Sequence, residues 1–162
     1  MTTRTCLCLV TRPATSDGGG GEVLLGFKKS GFGAGRWVGL GGHIEDGEQP
    51  EQAAIREVAE ESGLIVSCLT HMASLNFIFP ARPAWNQTAD VFVTGEYVGQ
   101  PAESNEVIPR WFGTGALPLD GMWDDARYWL PLVLAGQHVR ADITFADDCA
   151  TVVAASPGLL GP

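Results

Sequence analysis

Residues 42–64 read GHIEDGEQPEQAAIREVAEESGL, and the rest of the chain is best understood outward from them. Pro50 suits a first helical position, where its missing N–H would have no helical partner. Glu51 follows in the first turn, where the helix dipole favours negative charge. Gly63 suits the position just past a helix, where the backbone commonly turns left-handed. The spacing predicts a helix over 50–62. At about 100° per residue, Glu57, Glu60 and Glu61 share one side, within about a third of the circumference. Ala54, Ile55, Val58 and Ala59 fall on another side and can bury against a sheet.

Two readings of the glutamates compete. Acidic residues are common on solvated helix faces, which would make them ordinary surface. Yet like charges at i,i+3 and i,i+4 repel, and only Arg56 lies close enough to offset three of them. A hard divalent cation such as Mg²⁺ or Mn²⁺ takes carboxylate and carbonyl oxygens and would relieve that repulsion. The glycine-rich approach through Gly39, Gly41 and Gly42 favours a metal held against a diphosphate.

The chain has 162 residues, 45% of them apolar, which suits one domain with a sizeable core. No apolar run reaches the roughly 18 to 20 residues of a membrane span, and the N-terminus shows no clear signal peptide. Cys6, Cys8, Cys68 and Cys149 lack zinc-ligand spacing and fit a reducing cytoplasm. A net charge of −9 argues against a nucleic-acid polymer as partner. A polyphosphate remains compatible, because a metal brings positive charge to the site.

Along the chain, strands are expected at 4–11, 22–28, 89–98 and 110–112, with an extended segment broken by glycines at 36–44 and a mostly extended one at 65–79. Residues 17–21 read as a hairpin tip, 80–88 as a loop, and 124–134 as a helix that Pro131 could kink. A last hairpin is expected from 139–145 and 150–154. Residues 1–155 read as one domain and 156–162 as a C-terminal tail. Strands outnumber the few, well-separated helices, which suggests an α/β or α+β layered domain.

The spacing of residues 42–64 resembles the Nudix box, G-x5-E-x7-R-E-U-x-E-E-x-G-U with U a bulky apolar residue. It matches through Gly42, Glu48, Arg56, Glu57, Glu60, Glu61 and Gly63. Seven such identities coincide by chance about once in 10⁸ starts at roughly 7% usage each. The resemblance implies an α/β fold, an α/β/α sandwich around a mixed sheet. The likeness continues through residues 24–37, through Glu103-Ser104-Asn105-Glu106, and through Met122-Trp123-Asp124-Asp125-Ala126-Arg127-Tyr128-Trp129. These look like the MutT-related branch that hydrolyses oxidised purine nucleoside triphosphates.

By that resemblance, Gly41 (through its carbonyl), Glu57, Glu60, Glu61 and Glu106 are metal ligands or base candidates, with Glu57 and Glu61 as direct ligands. Arg56 and Glu48 form a structural ion pair. Lys28 contacts phosphate, and Phe32, Phe77, Trp123 and Trp129 line a base pocket. Core packing is the better reading for Trp37 and Trp111. The chain also departs from the branch. Val38 stands where the branch has an amide side chain that reads the purine edge. Asp125 and Ala126 stand where it has two adjacent carboxylates, and Asp124 where it has a proline. Valine cannot hydrogen-bond a base, and a site built on such bonds loses strongly when a partner is removed. Asp125 is left to accept a bond from the base, with Asp124 available if the loop slips by one residue.

The implied chemistry is Mg²⁺-dependent substitution at phosphorus, with Mn²⁺ as a substitute ion and Glu60 or Glu106 taking the proton. The expected products are a nucleoside monophosphate and pyrophosphate, and the expected partner is a small nucleotide bound by a monomer or homodimer. Hydrolysis of another nucleoside-diphosphate-linked metabolite is the alternative within enzymes. A nucleotide-binding module that has lost catalysis is the alternative outside them, opposed by the intact Glu57, Glu60 and Glu61.

Overall fold

The computed structural model describes residues 2–13 and 20–156. The elements run β1 (Thr3–Arg12), β2 (Glu22–Lys28), β3 (Trp37–Val38), β4 (Leu40–His43), α1 (Pro50–Ser62), β5 (Ile65–Ser67), β6 (Thr70–Ile78), β7 (Gln87–Thr94), β8 (Glu96–Val98), β9 (Val107–Gly113), α2 (Ala126–Leu134), β10 (Val139–Phe145) and β11 (Val152–Ser156). Short 3₁₀ turns occupy Pro83–Trp85 and Leu119–Gly121. The expected tip at 17–21 and tail at 156–162 fall largely outside the described residues, although Ser156 belongs to β11.

One mixed sheet carries the fold, in the order β11-β10-β6-β7-β1-β2-β3, with β4 paired to β1 and β9 to β2. The β1–β7 and β6–β10 pairs are parallel and the others in this sheet antiparallel. Side chains alternate across a strand, and β1 uses this to serve two cores. Cys6, Cys8 and Val10 join Ala53, Ala54 and Val58 of α1 on one face. Leu9 joins Ala126, Trp129, Leu130 and Val133 of α2 on the other. The sheet is therefore sandwiched between two helices, as the resemblance implies.

α1 spans the predicted residues, and Gly63 follows it at φ 80°. Gln49 N–H donates to the side-chain oxygen of Gln52 at 3.0 Å, closing the first turn. The buried stripe is shifted from the expected one: Ala53, Ala54 and Val58 are fully buried, whereas Ile55 and Ala59 are half-buried. The expected strand over 89–98 is broken at Gly95. There the Thr94 hydroxyl donates to Ser67 O at 2.6 Å and accepts from Glu96 N–H at 3.0 Å, turning the chain into β8. β8 leaves the main sheet and pairs with β5. α2 passes through Pro131. The carbonyl that loses its bond there belongs to Arg127, on the exposed side, where water can serve it. β9 is longer than the expected 110–112 because it pairs along the whole of β2.

Candidate active site

A carboxylate cluster and an aromatic cavity both adjoin β4: Gly41 and Gly42 line the cavity, while Gly41 contacts Glu61 and Gly42 closely approaches Glu57. In the cluster, the carboxylates of Glu57, Glu61 and Glu106 each place an oxygen within 4.8 Å of the others. α1 supplies two of them because residues four apart nearly align, offset by about 40°. Glu60 is rotated about 100° away from Glu61 on that wheel, and its side chain is 57% exposed. The structure thus brings together three of the four predicted glutamates and leaves Glu60 outside the cluster.

The glycines before the helix are demanded by close approach. A Cβ at Gly42 would lie 2.6 Å from the Glu57 carboxylate, and one at Gly41 would lie 2.0 Å from the carbonyl oxygen of Cys6. Gly41 N–H donates to Glu61 at 2.8 Å. Arg56 ties the loop to the helix. It forms a two-pronged pair with Glu48 at 2.8 and 3.0 Å, reaches Glu57 at 2.9 Å and Glu60 at 3.3 Å, and donates to His43 O at 3.0 Å. The guanidinium holds the Glu48 carboxyl down at about 2.

Electrostatics oppose three bare anions here. Burial raises the Glu61 carboxyl to about 8 despite the Gly41 N–H, with the negative charges of Glu57 and Glu106 adding to the rise. Glu57 is also raised, first by burial and against the pull of Arg56. A divalent cation fits this donor set. The donors are all hard oxygens, and opposite oxygens around Mg²⁺ lie about 4.2 Å apart, close to the span of the cluster. Lys28, whose charge pulls Glu61 downward, lines the same cavity as Gly41 and Gly42.

The cavity measures about 360 Å³, within the roughly 300–1,000 Å³ of small-ligand sites. The predicted Phe32, Val38, Phe77, Trp123, Asp125 and Trp129 all line it. Phe32 stacks on Trp123 with centroids 5.1 Å apart and planes at 16°, and the Arg36 guanidinium lies 4.1 Å from the same indole. Trp129 Nε1–H donates to Asp125 Oδ2 at 2.6 Å in a buried contact. Burial raises the Asp125 carboxyl to about 6, with Trp129 pulling the other way.

Asp124 is not among the residues lining the cavity. Its oxygens are taken by Arg127 Nε at 2.9 Å and Val152 N–H at 2.8 Å, so it ties α2 to the last hairpin. The cavity is also lined by Phe79 and Trp85, outside the expected pocket residues, and by Trp37, which packs against the core as expected and also reaches the cavity wall. Trp85 sits on the 3₁₀ turn inside the expected loop. Phe79 N–H, donating to Asn86 at 2.7 Å, closes the segment that carries it. An aromatic in a proline-flanked loop, Arg82-Pro83-Ala84-Trp85, was the available signal.

Comparisons with known proteins agree with this geometry. Residues 1–133 match the NUDIX domain model. The chain is 44% identical over 128 residues to the oxidized purine nucleoside triphosphate hydrolase of Danio rerio, covering 79% of this chain and 77% of that one. It is 41% identical over 126 residues to the protein of the same description from Mus musculus, covering 78% and 80%. A MutT protein from Bacillus halodurans has the same fold, with a TM-score of 0.77 and 21% identity over 95% of this chain and 96% of that one.

Proposed function

The chain belongs to the NUDIX family of hydrolases, and on that premise we propose that it hydrolyses an oxidised purine nucleoside triphosphate to the monophosphate and pyrophosphate. Mg²⁺ is the proposed cofactor, with Mn²⁺ able to replace it. The observation that carries this reading is a carboxylate cluster held against Gly41 and Gly42, the same glycines that line an aromatic cavity. The relatives in fish and mouse, described as acting on oxidised purine triphosphates, support the substrate class.

Glu57, Glu61 and Glu106 would hold the ion, which when bound neutralises phosphate charge and polarises both phosphoryl oxygens and an attacking water. Lys28 adds a positive charge to the phosphate end. Proton removal falls to a carboxylate not fully used as a ligand: Glu60, outside the cluster, or Glu106, on its exposed side. The Arg56–Glu48 pair holds the Gly41–Gly42 loop against α1. Aromatic walls stack the base, a contribution of roughly 1–3 kcal/mol per base. Asp125 is the carboxyl available to its edge. With Val38 and Ala126 supplying no polar atom, base reading rests mainly on that one group. The four free thiols support a reducing, cytoplasmic setting, and the proposed assembly is a monomer or homodimer.

A panel of 8-oxo-dGTP, 2-hydroxy-dATP, dGTP, dCTP, a dinucleotide and a nucleotide sugar tests the substrate assignment. The highest kcat/KM is expected on an oxidised purine triphosphate. Preference for the dinucleotide or the sugar would replace this reading with hydrolysis of a linked diphosphate.

A further inference from the structure

We propose that Lys29 is a positioning residue for the carboxylate cluster, fastening the 103–106 turn so that Glu106 stands beside Glu57 and Glu61. This rests on the cluster being the metal site. Successive side chains of extended backbone point to opposite sides. Lys28 lines the cavity, while Lys29 reaches the 103–106 turn. Lys29 Nζ pairs with the Glu103 carboxylate and donates to Ser104 O at 2.8 Å. Its backbone N–H donates to Glu106 O at 2.8 Å. The turn is then knitted from within: Ser104 Oγ accepts from Glu106 N–H and from Val107 N–H, each at 3.3 Å, and Ser104 N–H donates to Val107 O at 3.0 Å.

The need for such a fastening follows from where the three ligands sit. Glu57 and Glu61 stand on a helix packed into the core, whereas Glu106 is an exposed residue on a turn. Mutual repulsion among three carboxylates is most easily relieved by moving the one on the turn. Lys29 opposes that movement with a charge bonded to Glu103 and a donor on Ser104. It touches none of the three ligand carboxylates itself, so it acts through Glu106.

The test compares Lys29→Met, Lys29→Arg and Glu103→Gln, with Glu106→Gln as the reference. The Mn²⁺ dissociation constant of the nucleotide-free protein is measured by calorimetry, together with melting temperature and with kcat and KM at saturating Mg²⁺. Outer ligand partners change metal affinity by about 10–100-fold. Because the Lys29–Glu103 pair is partly exposed, we expect a rise of about five- to tenfold in Lys29→Met, at or below the low end of that range. Recovery is expected in Lys29→Arg, and nucleotide KM should stay unchanged. Unchanged Mn²⁺ affinity in Lys29→Met, beside a clear loss in Glu106→Gln, would overturn the role of Lys29 and leave the cluster intact. Unchanged affinity in Glu106→Gln would overturn both. If Lys29→Met does not fold, Glu103→Gln and Lys29→Arg decide. Wild-type Mn²⁺ affinity in Glu103→Gln then refutes the clamp, and weakened affinity there with normal binding in Lys29→Arg supports it.

Discussion

Asp125→Asn should stabilise the protein, and the gain should depend on pH in a defined direction. Burial raises the Asp125 carboxyl from 3.8 to about 6 in the folded chain. The folded state therefore binds this proton more tightly than the unfolded state. Between about pH 4 and pH 6 the folded chain holds more protons, so stability falls as pH rises through that window and stays reduced above it. The rise from 3.8 to about 6 corresponds to at most about 3 kcal/mol. Asparagine is similar in shape, carries no charge, and can still accept from Trp129 Nε1 through its side-chain oxygen. The asparagine variant should gain up to about 3 kcal/mol relative to wild type between pH 4 and pH 7.5. In a chain of this size that is a relative rise in melting temperature of about 6–12 °C. Urea unfolding of both proteins at the two pH values measures it, and the other titrating groups cancel in the difference. A wild-type-to-variant difference that does not change with pH would refute the argument that Asp125 is buried without a compensating charge.

Glu57→Gln and Glu61→Gln should each lower kcat by about 100-fold or more, near 3 kcal/mol, without lowering the melting temperature, because burial already disfavours the charged form of both carboxyls in the folded chain. Steady-state kinetics beside calorimetric melting checks both halves. Trp123→Ala should raise the nucleotide KM by about tenfold, from the roughly 1–3 kcal/mol of base stacking. It should also cost some stability, since Trp123 stacks on Phe32 and lies edge-on to Phe145; an unchanged KM would make Trp123 a core residue only. Val38→Asn should increase kcat/KM for 8-oxo-dGTP, because it returns a polar group to the cavity lining, and the dGTP value in the same variant controls for general effects.

The parts of this fold that were legible in the sequence are those set by local rules. Pro50 and Gly63 mark both ends of α1 through the chemistry of helix termini. The expected strand over 4–11 corresponds to β1, and the structure then shows its alternation sending Cys6 and Cys8 to one face and Leu9 to the other. Spacing also put Glu57 and Glu61 on one side of the helix. It could not separate Glu60 from them, because that depends on which way the helix faces once Ala53, Ala54 and Val58 are buried. Glu106 entered through family likeness alone, since its approach to α1 is made by tertiary pairing of β9 with β2. The break at Gly95 and the diversion of Asp124 to Arg127 and Val152 likewise arise from contacts between distant segments. Trp85 was obscured because an aromatic in a loop has no periodicity to reveal which way it points.

The most direct measurement is product analysis of 8-oxo-dGTP hydrolysis across a Mg²⁺ titration, for wild type and for Glu61→Gln. The wild type should release nucleoside monophosphate and pyrophosphate in equal amounts, with formation that disappears in excess chelator and returns with Mg²⁺ or Mn²⁺, and the variant should be slower by about 100-fold or more. Release of orthophosphate and the nucleoside diphosphate, or full turnover in chelator, would contradict the proposed reaction.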